Sequence, residues 1–141
     1  MNILVTGGLG YIGSHVVVCL VENGYDVIIL DNLSNSDISV LSRLEKITNR
    51  KLNFKEIDLG IEDHVKDFFK KNTNIEGIIH FAALKSVGES VRKPNKYFQN
   101  NLNATINILK YMPEKVPFVF SSSCTVYGSV MKQPITESTP H

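Results

Sequence analysis

An α/β domain with a doubly wound parallel sheet follows from three features of the 141-residue sequence. Short apolar runs alternate with helix-period segments along the chain, a glycine-rich turn joins the first run to the first helix, and no repeat or low-complexity tract breaks the alternation. Ile3, Leu4 and Val5 form a run suited to a strand buried on both faces. Ile12, Val16, Cys19 and Leu20 recur at helical spacing, and Asn23-Gly24 supplies a stop. A second strand is expected over residues 27–30, and Val40, Leu41, Leu44 and Ile47 give a second helix before Asn49. A third strand falls around 52–57, followed by a helical face of Ile61, Val65, Phe68 and Phe69. Residues 75–81 form a fourth strand. Tyr97, Leu102, Ile106 and Leu109 mark a longer helix ending near Pro113, and 116–120 a fifth strand. Right-handed crossovers then place helices on both faces. The stretch 129–141, with Pro134 and Pro140, reads as loop. A six-stranded sheet of this kind needs a further strand, so the sheet is expected to be incomplete at its C-terminal edge and the chain to be the amino-terminal portion of a longer protein.

Composition narrows the function classes. With 43% hydrophobic and 21% charged residues, the chain is an ordinary globular sequence, long enough to bury roughly two-thirds of its unfolded surface. A net charge of +1 is far from the basic excess that nucleic-acid binding needs. The apolar stretch 16–21 is far too short to span a bilayer, and because a strand pattern already begins at Asn2 no targeting peptide is expected. Cys19 and Cys124 lie in no CxxC or Cys/His pattern, so a reduced, cytoplasmic setting is expected. His15, His64, His80 and His141 have no ligand-like spacing, and no metal is expected.

The chemistry begins at Thr6-Gly7-Gly8-Leu9-Gly10-Tyr11-Ile12-Gly13. Between a strand and a helix, these glycines let backbone N–H groups approach a pyrophosphate at the helix N-terminus, the Rossmann-type arrangement. A bare tight turn is the plainer alternative, but Asp31 follows at about the expected twenty residues and ends the second strand. There its carboxylate can accept from an adenosine ribose and would repel a 2′-phosphate, which favours NAD over NADP. The competing reading is a turn aspartate among Asn32, Ser34, Asn35 and Ser36. Asp58, after the third strand, either approaches the adenine amine or caps the next helix.

The Thr-Gly-x-x-Gly-x-x-Gly spacing resembles the extended short-chain dehydrogenase/reductase family over essentially the whole chain. Two further stretches, His80-Phe81-Ala82-Ala83-Leu84-Lys85-Ser86-Val87-Gly88-Glu89-Ser90 and Phe120-Ser121-Ser122-Ser123-Cys124-Thr125-Val126-Tyr127-Gly128, resemble its UDP-glucose 4-epimerase branch. That resemblance implies NAD held by Gly7, Gly10, Tyr11, Ile12, Gly13, Asp31, Asn32, Asn35, Ser36, Asp58, Leu59, Phe81, Ala82, Ala83, Leu84, Lys85 and Asn100. It implies a UDP-sugar near Lys85, Ser86, Val87, Ser123, Cys124 and Thr125, with Ser123 as the catalytic serine. Hydride would leave carbon 4 of the sugar and return to the other face of a transient 4-keto sugar, interconverting UDP-glucose and UDP-galactose. Cys124 departs from the alanine expected after that serine.

The crowd of Asn100, Asn101, Asn103 and Asn107 on one helix is locally inconsistent, which marks either a site or a solvated face. The family's Tyr-x-x-x-Lys pair does not occur after Ser123. Tyr111 and Lys115 match the spacing, but Pro113 between them disfavours one helix, and they precede the fifth strand. Residues 1–141 are therefore read as an NAD-binding domain that binds NAD weakly and does not turn over alone; longer relatives of this kind imply a homodimer. Another NAD-dependent nucleotide-sugar epimerase or dehydratase, and a non-catalytic NAD-binding module, are the alternatives.

Overall fold

The chain runs β1 (Asn2–Thr6), α1 (Tyr11–Glu22), β2 (Asp26–Asp31), α2 (Ser39–Thr48), β3 (Asn53–Glu56), α3 (Glu62–Lys71) and β4 (Gly77–His80), then α4 (Val87–Arg92), α5 (Pro94–Tyr111), β5 (Phe118–Phe120) and a 3-10 helix (Cys124–Tyr127). This is the architecture of a computed structural model that describes residues 1–128 and 133–140. The five strands form one parallel sheet in the order β3-β2-β1-β4-β5. The order reverses beside β1, since β2 lies on one side of it and β4 on the other.

Alternation along each strand feeds two cores. Leu4, Ile28, Leu30 and Ile78 point to the layer of α3 and α5, where they meet Val65, Phe68, Phe69, Ala104 and Ile108. Ile3, Val5, Val27 and Ile29 point the other way, onto Val17 and Val21 of α1 and Leu44 of α2. The central strands are apolar on both faces because both faces are covered. The expected stop of α1 is present: the Asn23 N–H donates to the Cys19 carbonyl at 3.1 Å, and Gly24 takes the left-handed φ of +83°.

Several expectations are corrected. The buried face of α1 is Gly13, Val17 and Val21; Ile12 and Cys19 are exposed, and Val16 and Leu20 half-buried. Residues 16–21 are apolar all round, so periodicity cannot choose a face, and the docking of Gly13 on the glycine turn does. On α5 the buried set is Tyr97, Ala104, Asn107 and Ile108, while Leu102, Ile106 and Leu109 face outward. Small Ala104 and Asn107, whose amide donates to the Leu59 carbonyl at 2.8 Å, face the interior in their place. The short α4 was not foreseen, because its Val87 and Val91 are exposed and no buried stripe announces it. The strands expected over 52–57, 75–81 and 116–120 are each trimmed to the residues that pair. Ile61 precedes α3 as its N-cap residue and is exposed. Of the loop expected over 129–141, residues 129–132 and 141, with His141, lie outside the described residues.

Candidate functional site

The carboxyl ends of β1, β2, β4 and β5 open into a cleft of about 840 Å³, at the reversal of strand order where ligands of open α/β sheets bind. Its floor is the glycine turn. Gly7 sits at φ +66°, and a Cβ there would lie 2.7 Å from the Ala82 nitrogen. A Cβ on Gly13 would lie 2.2 Å from the Gly7 carbonyl oxygen. Hydrogen bonds from the Gly7 N–H to the Leu30 carbonyl, 2.7 Å, and from the Gly10 N–H to the Gly7 carbonyl, 3.0 Å, fix the turn. No side chain caps α1 at Gly10, so the first-turn amides of Tyr11, Ile12 and Gly13 keep no intrahelical partner and border the cleft. A helix start left in this condition attracts anions.

Asp31, 8% exposed, stands at the end of β2 on the adjacent wall. One carboxylate oxygen accepts from the Leu9 N–H at 3.1 Å; the other accepts from the Leu33 N–H at 3.0 Å and the Ser36 hydroxyl at 2.8 Å. The turn reading is realised, with Leu33 at a positive φ of 56°, and Asp31 also lines the cleft. Asp58 accepts from the Gly60 N–H at 2.8 Å and lines the same wall, but it does not cap α3, whose N-cap is Ile61.

Opposite lies the segment after β4. Phe81, Ala82, Ala83, Leu84 and Lys85 all line the cleft, and Leu84 is clamped by Asn101, whose side chain accepts from its N–H at 2.9 Å and donates to its carbonyl at 3.0 Å. Lys85 is exposed, with no ion pair or hydrogen bond among the described residues. At the β5 exit the Ser123 oxygen accepts from the Thr125 N–H at 3.3 Å and the Thr125 hydroxyl at 2.9 Å, so this serine also caps the 3-10 helix.

The cleft brings together Gly7, Gly10, Tyr11, Ile12, Gly13, Asp31, Asn32, Asn35, Ser36, Asp58, Leu59, the segment 81–85, Asn100, Ser123 and Thr125. It does not include Ser86, Val87 or Cys124. Ser86 stands at the N-cap position of α4 without a side-chain cap, and Val87 starts the helix, so the chain turns away from the cleft after Lys85. Sequence reasoning missed Ser34, Ile57, Gly60, Ala104, Phe120 and Val126 as lining residues. It also did not single out Asn101, Ser121 or Ser122 as site residues, although the asparagine crowd and serine cluster around them were the signals. Tyr111 lies at the far end of α5, where its hydroxyl donates to Glu62. Among the described residues no group of three His, Cys, Asp or Glu side chains could hold a metal ion, and no helix is long and apolar enough to cross a membrane.

Known proteins resemble this chain in sequence and in fold. A family model described as GDP-mannose 4,6 dehydratase matches residues 4–141. The chain is 49% identical over 145 residues to a UDP-glucose 4-epimerase of Schizosaccharomyces pombe, covering 99% of this chain and 41% of that one. A UDP-glucose 4-epimerase of Bacillus subtilis is 51% identical over 144 residues, covering 99% and 42%. The crystal structure of UDP-glucose 4-epimerase from Bifidobacterium longum, in complex with NAD+ and UDP, superposes with a TM-score of 0.93 at 46% identity, covering 99% of this chain and 42% of that one. The chain spans about two fifths of the length of the curated relatives it matches.

Proposed function

This chain belongs to the family whose model is described as GDP-mannose 4,6 dehydratase, and from that membership we propose that residues 1–141 are the NAD-binding domain of a UDP-glucose 4-epimerase. The observation that carries the reading is the glycine turn, where the space above Gly7 and Gly13 admits no side chain and the uncapped first turn of α1 presents its amides to the cleft. Those amides would hold the pyrophosphate. Asp31 would accept from the adenosine ribose, with Asn32, Asn35 and Ser36 around it, and Asp58 and Leu59 would flank the adenine. The segment 81–85 and Asn100 would close the opposite wall.

Bound NAD supplies the hydride acceptor and donor for reaction at carbon 4 of the sugar. The chain's own part is binding and proton handling. Ser123, at the cleft's edge, has a hydroxyl hydrogen free to point to the sugar oxygen, since its two described contacts are both accepted. Lys85 brings an unpaired positive charge toward a nucleotide-sugar diphosphate. The outward stripe of Phe98, Leu102, Ile106 and Leu109 on α5 supports a homodimer through that face, and the two unpaired cysteines suit a reducing, cytoplasmic compartment.

Isothermal titration of the purified chain with NAD and with NADP tests the proposal. Saturable binding of NAD, with NADP weaker by about tenfold or more, is the expected result. No heat from either dinucleotide at millimolar concentration would overturn it.

A further inference from the structure

His80 ends β4 and is 3% exposed, opposite Thr6 in the β1 register, with its ring lying between Phe118 and Phe120 of β5 at centroid distances of 5.9 and 5.8 Å. Nδ1 is 2.6 Å from the hydroxyl of the fully buried Thr6, and Nε2 is 3.3 Å from the Thr105 hydroxyl. The directions of these bonds follow from their neighbours. The Thr105 hydroxyl donates its single hydrogen to the Asn101 carbonyl at 3.0 Å, so toward His80 it can only accept, and Nε2 must carry the proton. Nδ1 is then the acceptor, and the Thr6 hydroxyl donates to it while accepting the Ala82 N–H at 3.4 Å.

We propose that His80 is a positioning residue for the cleft: as the neutral ring protonated on Nε2, it joins β1, the exit of β4 and α5, holding Ala82 against the glycine turn and α5 where Asn101 clamps Leu84. This rests on reading the cleft as the dinucleotide site. The contact it maintains is tight, since Gly7 leaves no room for a Cβ beside the Ala82 backbone, and that approach seats the 81–85 wall on the floor of the cleft. Burial keeps the ring neutral, lowering its pKa to about 4. With no buried side-chain polar atom lacking a partner among the described residues, the network is fully satisfied, which is the condition for a buried polar group to impose one geometry.

Three measurements on the 141-residue chain test this. Nitrogen-15 spectra of the imidazole at pH 7 should show Nε2 protonated and Nδ1 bare; the opposite tautomer or a charged ring would overturn the assignment. His80→Phe keeps the ring stack and removes both hydrogen bonds, and the Ala82 and Leu84 amides should then exchange about tenfold faster while Ile28 and Ile29 in β2 are unchanged. His80→Asn, whose amide oxygen can reach the Nδ1 position, should restore part of the Ala82 protection. Should His80→Phe fail to fold, Thr105→Val is read in the same way, with a smaller acceleration expected. In titrations, His80→Phe should weaken NAD about tenfold and weaken AMP by clearly less, since the AMP phosphate meets the glycine turn but the nucleotide does not extend along the 81–85 wall. Equal acceleration across all strands, or equal loss of NAD and AMP, would reduce His80 to bulk stability and overturn the proposal. If the unaltered chain binds neither nucleotide, the dinucleotide reading fails, and the spectra and exchange data still decide the role of His80.

Discussion

Asp31 shows how one carboxylate can hold the fold and still face a cleft proposed for a ligand. Its oxygens already receive the Leu9 and Leu33 amides and the Ser36 hydroxyl, so a ribose would compete for lone pairs that remain free rather than for an idle group. Asp31→Asn keeps one acceptor oxygen and removes the charge. NAD affinity should fall about tenfold while NADP affinity does not, narrowing the preference in paired titrations. His80 carries a second consequence at this scale. Its pKa is lowered from 6.5 to about 4 by burial, so in the unfolded chain the imidazole takes up a proton at a higher pH than in the folded one. Stability is therefore whole above pH 6.5 and is lost as the pH falls toward 4, by on the order of 3 kcal/mol. Urea midpoints measured across that window should show the slope, and His80→Phe should flatten it. The candidate residues most legible in the sequence were those whose identity does the work through the backbone: glycines at Gly7 and Gly13, where no Cβ fits. Asn101 was far less legible, because its partner Leu84 is 17 residues away and no periodicity links them.

Elements are held by one face each, and α3 and α5 behave differently. On α3 the apolar positions Val65, Phe68 and Phe69 are all buried, as their spacing predicts, because the other face is polar or charged throughout. Phe69→Ala should cost about 3–5 kcal/mol in denaturant unfolding. On α5 two apolar stripes exist, and only one meets the sheet. The outer stripe, with Phe98 65% and Leu102 54% exposed, is the face proposed for self-association. Leu102→Asp should leave the unfolding free energy within about 0.5 kcal/mol while shifting the sedimenting species from dimer to monomer. A wild-type chain that sediments as monomer at high concentration would count against that face.

At the scale of the whole molecule, the 141-residue chain carries the cleft proposed for a dinucleotide, with Ser123 on its lining, but no Tyr-x-x-x-Lys after that serine. It should show no conversion of UDP-glucose to UDP-galactose in a coupled assay, since its sequence after Ser123 has no lysine one helical turn beyond a tyrosine to lower that phenol's pKa. Measurable turnover by the purified chain would refute that expectation. The parallel sheet, its flanking helices and the glycine turn were legible because they depend on local order along the chain: two-sided apolar runs, helical spacing and glycines at a strand-to-helix junction. Which stripe of α1 or α5 faces inward was not, because both helices offer more than one apolar face and the choice is made by what they pack against. Nor could the sequence show that His80, Thr105 and Asn101 form one network, or that the chain leaves the cleft after Lys85. Patterns along a chain report which residues avoid water; which of them touch is decided only when strands distant in sequence come side by side.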